Sequence, residues 1–251
     1  MKKITLIIAF FLISHQLLAQ DCTHYMYMQK NKSIEMTSFN DKGDITFKTV
    51  SKVSNVNTAN GVTTATVVAD AYDKSGKLIN SSNFTYKCDG GVMMMDMSLN
   101  SPQQSDQKTK VAIKIINKSF TEYPGAMKVG DHLKDASTQM ESSMSNGMTA
   151  VTIIQVTDRI VIGKETVTTA SGTWDCFKIT SKSTVTTTFK GASADTINNA
   201  MSALDKLKAK FGKFAPKMPS NSSESTIWYV PDFGAVKIKG KGYTTELTGL
   251  K

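Results

Sequence analysis

The feature that most constrains this chain is alternation. Through most of the sequence after Ser33, apolar and β-branched residues recur at every second position, in runs such as SIEMTSF, ITFKTVSKVS, GVTTATVVADAY, LINSSNFTYKC and GVMMMDMSL. A period of two sends successive side chains to opposite faces of a strand, and runs of this kind read as antiparallel sheet. Between them lie NDKGD, NTANG, DKSGK and CDGG, where Asn, Asp and Gly accept the left-handed backbone of tight turns. Turns this short make consecutive strands neighbours. After the polar stretch NSPQQSDQKT a second set follows: KVAIKIIN, MTAVTIIQVTDRIVIGKETVTT, TWDCFKITSKSTVTTTF, STIWYV and AVKIKGKGYTTEL. The expected fold class is all-β, mainly an antiparallel meander, barrel-like or sandwich. Residues 20–99 make an N-terminal β half, 100–108 a polar linker and 109–251 a C-terminal β half, and the pattern leaves open whether the halves share one core.

One segment breaks the alternation. SADTINNAMSALDKLKAKFGKFAPKMPSNSSES places Ser193 as a cap and Asp195 in the first turn of a predicted helix over about 193–214. Ile197, Ala200, Met201, Leu204, Leu207, Phe211 and Phe214 fall on one stripe, and Lys206, Lys208, Lys210 and Lys213 on the other side. Packing of the stripe on the sheet is the favoured role. A lid over a cavity, or contact with an anionic membrane, is the alternative for Leu204, Leu207, Phe211 and Phe214.

The N-terminus MKKITLIIAFFLISHQLLAQ reads as a signal peptide over 1–19: two lysines, an apolar run from Ile4 to Ile13, and a small-residue exit at Ala19. The run is too short to span a bilayer, so no transmembrane segment is expected in the mature chain. Lipid attachment at Cys22 is disfavoured by Asp21, where a small side chain is ordinarily required. The expected location is periplasmic or secreted. Losing Lys2 and Lys3 with the leader lowers the net charge from +9 to about +7. Arg159 is the single arginine among the basic residues. A lysine surface without arginine forks argues against nucleic acid as a partner.

Three cysteines, Cys22, Cys88 and Cys176, in an exported chain imply one disulfide and one leftover thiol. Three pairings are possible, and the turn at CDGG, which carries the end of an early strand towards the N-terminal segment, favours Cys22 with Cys88. The run VMMMDM sends Met93, Met95 and Met97 to one face and Val92, Met94 and Asp96 to the other. Thioether sulfur suits Cu(I), but alternate residues of one strand lie about 7 Å apart, too far to share an ion easily. Core filling, or the lining of an apolar cavity, is the better expectation for these methionines. Only His24 and His132 follow the leader, and neither sits in a metal or nucleophile motif. Ser105 opens a Ser-x-x-Lys match within a polar stretch; Asp73, Asp89 and Asp131 sit at turns; Cys176 sits beside Phe177 in an alternating strand. No cofactor, metal site or enzyme activity is expected.

The order of an exported DC start, YDKSGK, KCDGGV with MDMS, KVGDHL, VTDRIVIGKETVTTASGTWDCFKI and a terminal tryptophan followed by DFGAVK resembles the TapB-like, DUF3108-related exported proteins of the Bacteroidetes. That resemblance implies an antiparallel β fold, an envelope location and no established catalytic residues. The segment from Ser193 stands where the family pattern has a short turn. Two functions follow as expectations. The first is non-enzymatic binding of an apolar or lipid-like ligand in a β cavity lined by Met93, Met95 and Met97. The alternative is a protein–protein interaction or structural module that meets an envelope protein partner at an exposed sheet edge.

Overall fold

Turn chemistry sets the strand order. The computed structural model describes residues 22–97, 112–117, 119–143, 149–190, 202 and 221–251. Its strands are β1 (Ser33–Asn40), β2 (Ile45–Ala59), β3 (Val62–Asp73), β4 (Leu78–Asp89), β5 (Val92–Asp96), β6 (Ala112–Asn117), β7 (Phe120–Pro124), β8 (Ala136–Ser143), β9 (Thr149–Thr169), β10 (Gly172–Lys190), β11 (Asn221–Val230), β12 (Gly234–Gly240) and β13 (Tyr243–Leu250). At the β1–β2 turn, Asn40 Oδ1 accepts hydrogen bonds from the amides of Lys42 at 2.9 Å and Asp44 at 3.0 Å. At the β3–β4 turn, Asp73 Oδ1 accepts from the amides of Ser75 at 2.8 Å and Lys77 at 3.0 Å. Asn60 and Gly61, at φ 50° and 79°, turn β2 into β3. The predicted meander is therefore present in two stretches, β1 to β5 and β8 to β13.

One antiparallel sheet contains both. Its order is β6-β8-β9-β10-β11-β12-β13-β1-β2-β3-β4-β5-β7, with β1 paired to β13 from Ile34↔Leu250 to Asn40↔Tyr243. The sheet is neither a sandwich nor a closed barrel. It is strongly curled, and the proof is covalent. β6 pairs with β8 at one end of the order, while β7 pairs with β5 at the other. Yet the chain passes from Asn117 at the end of β6 to Phe120 at the start of β7, and three residues reach at most about 11 Å. The end of β6 and the start of β7 must therefore lie close together.

Curling encloses the main core, drawn from β2, β3, β4, β5, β7, β9, β10 and β11. Small side chains on β3, Ala65, Val67 and Ala69, leave space that the N-terminal segment fills. Two 3-10 turns, Cys22–His24 and Met26–Met28, bury Cys22, Tyr25 and Met28 there. The Tyr25 hydroxyl donates to the Gly91 carbonyl at 3.1 Å. Adjacent residues on β10, Cys176 and Phe177, point opposite ways and are both buried, as are Trp228 and Tyr229 on β11. Simple inside–outside alternation fails at these two strands because both of their faces are covered.

The ordered elements among the described residues are strands and the two 3-10 turns. Of the helix expected over about 193–214 only Ser202 is described, in helical conformation; Leu204, Leu207, Phe211 and Phe214 lie outside the described residues, as do the leader and the linker at 100–108.

A disulfide joins Cys22 to Cys88 across 66 residues, with Cα atoms 5.8 Å apart, and ties the N-terminal segment to the end of β4. Closing a loop of that length restrains the unfolded chain by about 4 kcal/mol in the entropic account. Urea unfolding of a Cys22→Ser, Cys88→Ser double variant should show a loss of about that size. A loss below about 1 kcal/mol would mean that the N-terminal segment holds its place without the bond.

Candidate functional site

The methionines do not form one lining. Met93 is buried in the main core and Met95 is half-buried against it. Met97 is fully buried in a different cluster, with Ala136, Met140 and Ile154. β5 stops at Asp96, so the alternation that placed Met97 on the Met93 face ends one residue early. Asp96, assigned by the same alternation to the face opposite the methionines, is itself buried. Of the other residues weighed for chemistry, His132 bridges to Ile160 through its backbone, and Asp131 accepts from the Lys128 amide at 2.7 Å. Burial pushes the Cys176 thiol up to about 11, with the Asp175 and Glu165 carboxylates adding to it. Among the described residues no group of three or more His, Cys, Asp or Glu side chains is placed to hold a metal ion.

Two of the surface grooves among the described residues stand out. One, of about 480 Å³, runs along the β9–β10 hairpin beside Lys164, Glu165, Asp175 and Pro231. Glu165 there accepts from Lys178 at 2.9 Å and from Trp228 Nε1 at 3.1 Å. These two bonds hold its carboxyl below the usual range. Lys178 and Lys237 both lie over the Trp228 ring, at 5.3 and 5.5 Å from its centroid, and Lys237 pairs with Glu246 at 2.8 Å. The other groove, of about 410 Å³, is a shallow surface between Phe39 and Lys239. Neither is lined by methionine.

The most organised polar feature is the seam where β7, one outer edge of the sheet, meets β9 and the segment before β8. Arg159 on β9 is 2% exposed. Its Nη1 donates to the Lys134 carbonyl at 2.6 Å and its Nη2 to the Glu122 carbonyl on β7 at 2.9 Å. The guanidinium stands 4.8 Å from the centroid of Tyr123, which stacks on Tyr229 at 4.4 Å. Around it, Leu133 donates to the Arg159 carbonyl at 2.8 Å, and Val161 to the Asp131 carbonyl at 2.9 Å. A planar fork reaches two carbonyls on separate segments while lying flat on an aromatic ring; a lysine offers one point donor. Sequence reading missed this role, although a lone arginine inside an alternating strand was the available signal.

Exposed apolar residues occur at several places, among them Ile115 and Ile116 on β6, Val129, and Ile162 on β9, and three more stand together at one end of the sheet. The turns β1–β2, β3–β4 and β12–β13 project from the same end of the sheet, as the pairs Phe39↔Ile45, Tyr72↔Leu78 and Asn40↔Tyr243 require. At that end Ile45, Leu78 and Ile79 are 48%, 50% and 43% exposed. Lys42, Lys74 and Lys77 are exposed on the same turns. Apolar residues directly after a turn lysine, as in KLI, were the sequence sign of this surface.

The fold and the seam define a protein built on one curled antiparallel sheet. The chain belongs to the DUF3108-like family, whose model matches residues 29–201. A candidate exported protein with a YmcC-like fold from Bacteroides fragilis superposes with a TM-score of 0.61, at 17% identity, over 90% of this chain and 98% of that one. A candidate lipoprotein from Parabacteroides distasonis gives a TM-score of 0.63, at 18% identity, over 92% of this chain and all of that one (100%). Comparison with curated proteins gives no match. The family and the antiparallel β fold stated from the sequence are thus both shown.

Arg159→Ala should cost about 3–5 kcal/mol, since two charge-assisted bonds and a buried side chain are lost. Glu122→Ala and Lys134→Ala remove a surface ion pair of 2.7 Å but leave both carbonyls in place, so each should cost less than about 1 kcal/mol. Chemical denaturation of the three variants checks that order. Equal losses would place the stabilisation in the ion pair instead.

Burial also pushes Tyr25 and Tyr27 up to about 12 and raises Tyr86, Tyr123 and Tyr229. A tyrosine whose folded pKa exceeds its unfolded value stabilises the fold fully below the unfolded value, and that contribution is lost as pH rises through the folded one. Stability should therefore fall between pH about 10 and about 12. Ultraviolet titration should show these phenols ionising together with unfolding; ionisation near pH 10 in folded protein would contradict their burial.

Proposed function

We propose that the protein is an exported, non-enzymatic envelope protein that acts by surface contact through the hairpin-tip end of its sheet. The observation that carries this reading is that Ile45, Leu78 and Ile79, each more than two-fifths exposed, share one end of the sheet with exposed turn lysines, whereas the comparably exposed Ile115, Ile116, Val129 and Ile162 stand away from those turns, on β6, before β8 and on β9. An envelope location is supported by the leader-like residues 1–19 and by the oxidised pair Cys22–Cys88. The descriptions of the two structural neighbours, an exported protein and a lipoprotein, point the same way. While Cys22 is bonded to Cys88, its sulfur is not free to carry a lipid thioether. A non-catalytic role is supported by Cys176, which burial keeps as the unreactive thiol.

An apolar ligand held inside the curl has less behind it, because Tyr25, Met28 and the disulfide occupy that space. Partner binding at a sheet edge also has less. β6, although it exposes Ile115 and Ile116, also carries exposed Lys114 and a register shift between Ile115 and Asn117, and β7 is short, ends in Pro124 and is capped by Arg159. Such features discourage strand addition.

The test uses envelopes from cells lacking the protein. Purified protein should be retained on them, and an Ile45→Ser, Leu78→Ser, Ile79→Ser variant should bind about 10-fold or more weakly while losing little stability, since all three sites are exposed. Equal retention of the variant and the wild type would remove the hairpin tips from the function.

A further inference from the structure

We infer that the hairpin-tip end docks on the surface of an anionic lipid bilayer, an inference that rests on the reading of this end as the contact surface. Three properties of the tips fit a bilayer better than a folded partner. The exposed aliphatic residues sit beside turns: Ile45 follows the β1–β2 turn, and Leu78 and Ile79 follow the β3–β4 turn. They stand on separate projecting hairpins and not on a flat patch, a shape that suits shallow insertion between headgroups. Each is accompanied by lysine on the same turn, Lys42 on the first and Lys74 and Lys77 on the second, and Lys241 is exposed on the third. Lysine stems can lie along apolar surface while their ammonium groups meet phosphate, which is the arrangement an interfacial element needs.

Lys42, Lys74, Lys77 and Lys241 stand against Asp41, Asp44 and Asp73 on these turns, which leaves one positive charge in excess. Asp73 is occupied by Ser75 and Lys77 of its own turn, and those bonds hold its carboxylate inward along the backbone. Asp44 accepts from Asn40 Nδ2 at 3.0 Å across the first turn. Asp41 and Asp44 are both exposed at the tip of the first turn. The turns are also rigid, since Asn40 and Asp73 each fix two amides. Their apolar residues are thus presented without a large ordering cost on binding.

Cosedimentation of the purified protein with vesicles tests the inference. Vesicles of phosphatidylethanolamine with phosphatidylglycerol should retain the wild type, and vesicles of phosphatidylcholine alone should retain it far less. A Lys42→Gln, Lys74→Gln, Lys77→Gln variant should bind the anionic vesicles roughly 100-fold more weakly. A control variant with the same charge change at the opposite end of the sheet, Lys30→Gln, Lys32→Gln, Lys251→Gln, should stay within about 3-fold of wild type. Raising salt from about 0.1 M to about 1 M should release the protein. Equal loss in the two lysine variants would overturn the inference, because attraction would then be general. Retention on envelopes, dependent on Ile45, Leu78 and Ile79, without binding to anionic vesicles would also overturn it and would make the envelope partner a protein. Loss of retention in both assays would remove the contact-surface reading as well.

Discussion

Two hydrogen bonds from Arg159, to the carbonyls of Glu122 and Lys134, join β9 to the segment before β8 and to β7, a strand whose ladder in the sheet order is with β5 alone. The crossing from Asn117 to Phe120 holds the end of β6 near the start of β7, but that proximity alone does not satisfy the backbone groups along the free side of β7. A closed barrel would do so with strand pairing. Here an arginine side chain does part of that work. Its charge is spread over a planar group, bonded to carbonyls and laid against Tyr123, and this offsets the large cost of burying a cation.

Seam and interior depend on each other. Tyr123 is both the surface on which Arg159 rests and a stacking partner of Tyr229, which belongs to the core with Tyr25 and Met28. The same core receives the N-terminal segment, and Tyr27 stacks on Tyr86 at 4.3 Å. The disulfide then fixes that segment to β4. A sheet curled this far encloses more volume than its own small residues on β3 fill, so a separate segment completes it. That segment and the aromatic stacks replace the second sheet of a sandwich.

Much of this was legible in the sequence for local reasons. Period-two alternation and turn residues gave strands that pair with their neighbours, and the turn at Asp89 to Gly91 brought Cys88 within reach of Cys22. What was not legible is non-local. Nothing in AIKIIN states that β6 pairs with β8 and not with β7, because the swap is decided by how far the sheet curls. Alternation extended one residue too far at Met97, since the end of β5 is set by its pairing with β7, which stops at Asp96↔Phe120. CTHYMYM lies ahead of the first alternating run, where alternation assigns no element, yet two short turns pack its Cys22, Tyr25 and Met28 into the core. The contact surface was hidden for a related reason: Ile45 and Leu78 look like ordinary strand residues until the register shows that their turns share one end.

A filled and fastened interior leaves the outside of the fold as the place to act, and the rigid hairpin tips are then the consequence of a frame that does not need to open. The central claim is that Arg159 holds the seam as a unit separate from the meanders. Hydrogen exchange of the wild type and of Arg159→Met measures it directly. Protection should fall sharply at residues 120–124, 130–133 and 159–161 in the variant, while β1, β2, β3 and β12 keep theirs. Unchanged protection at the seam, or a uniform loss over the whole sheet, would contradict it.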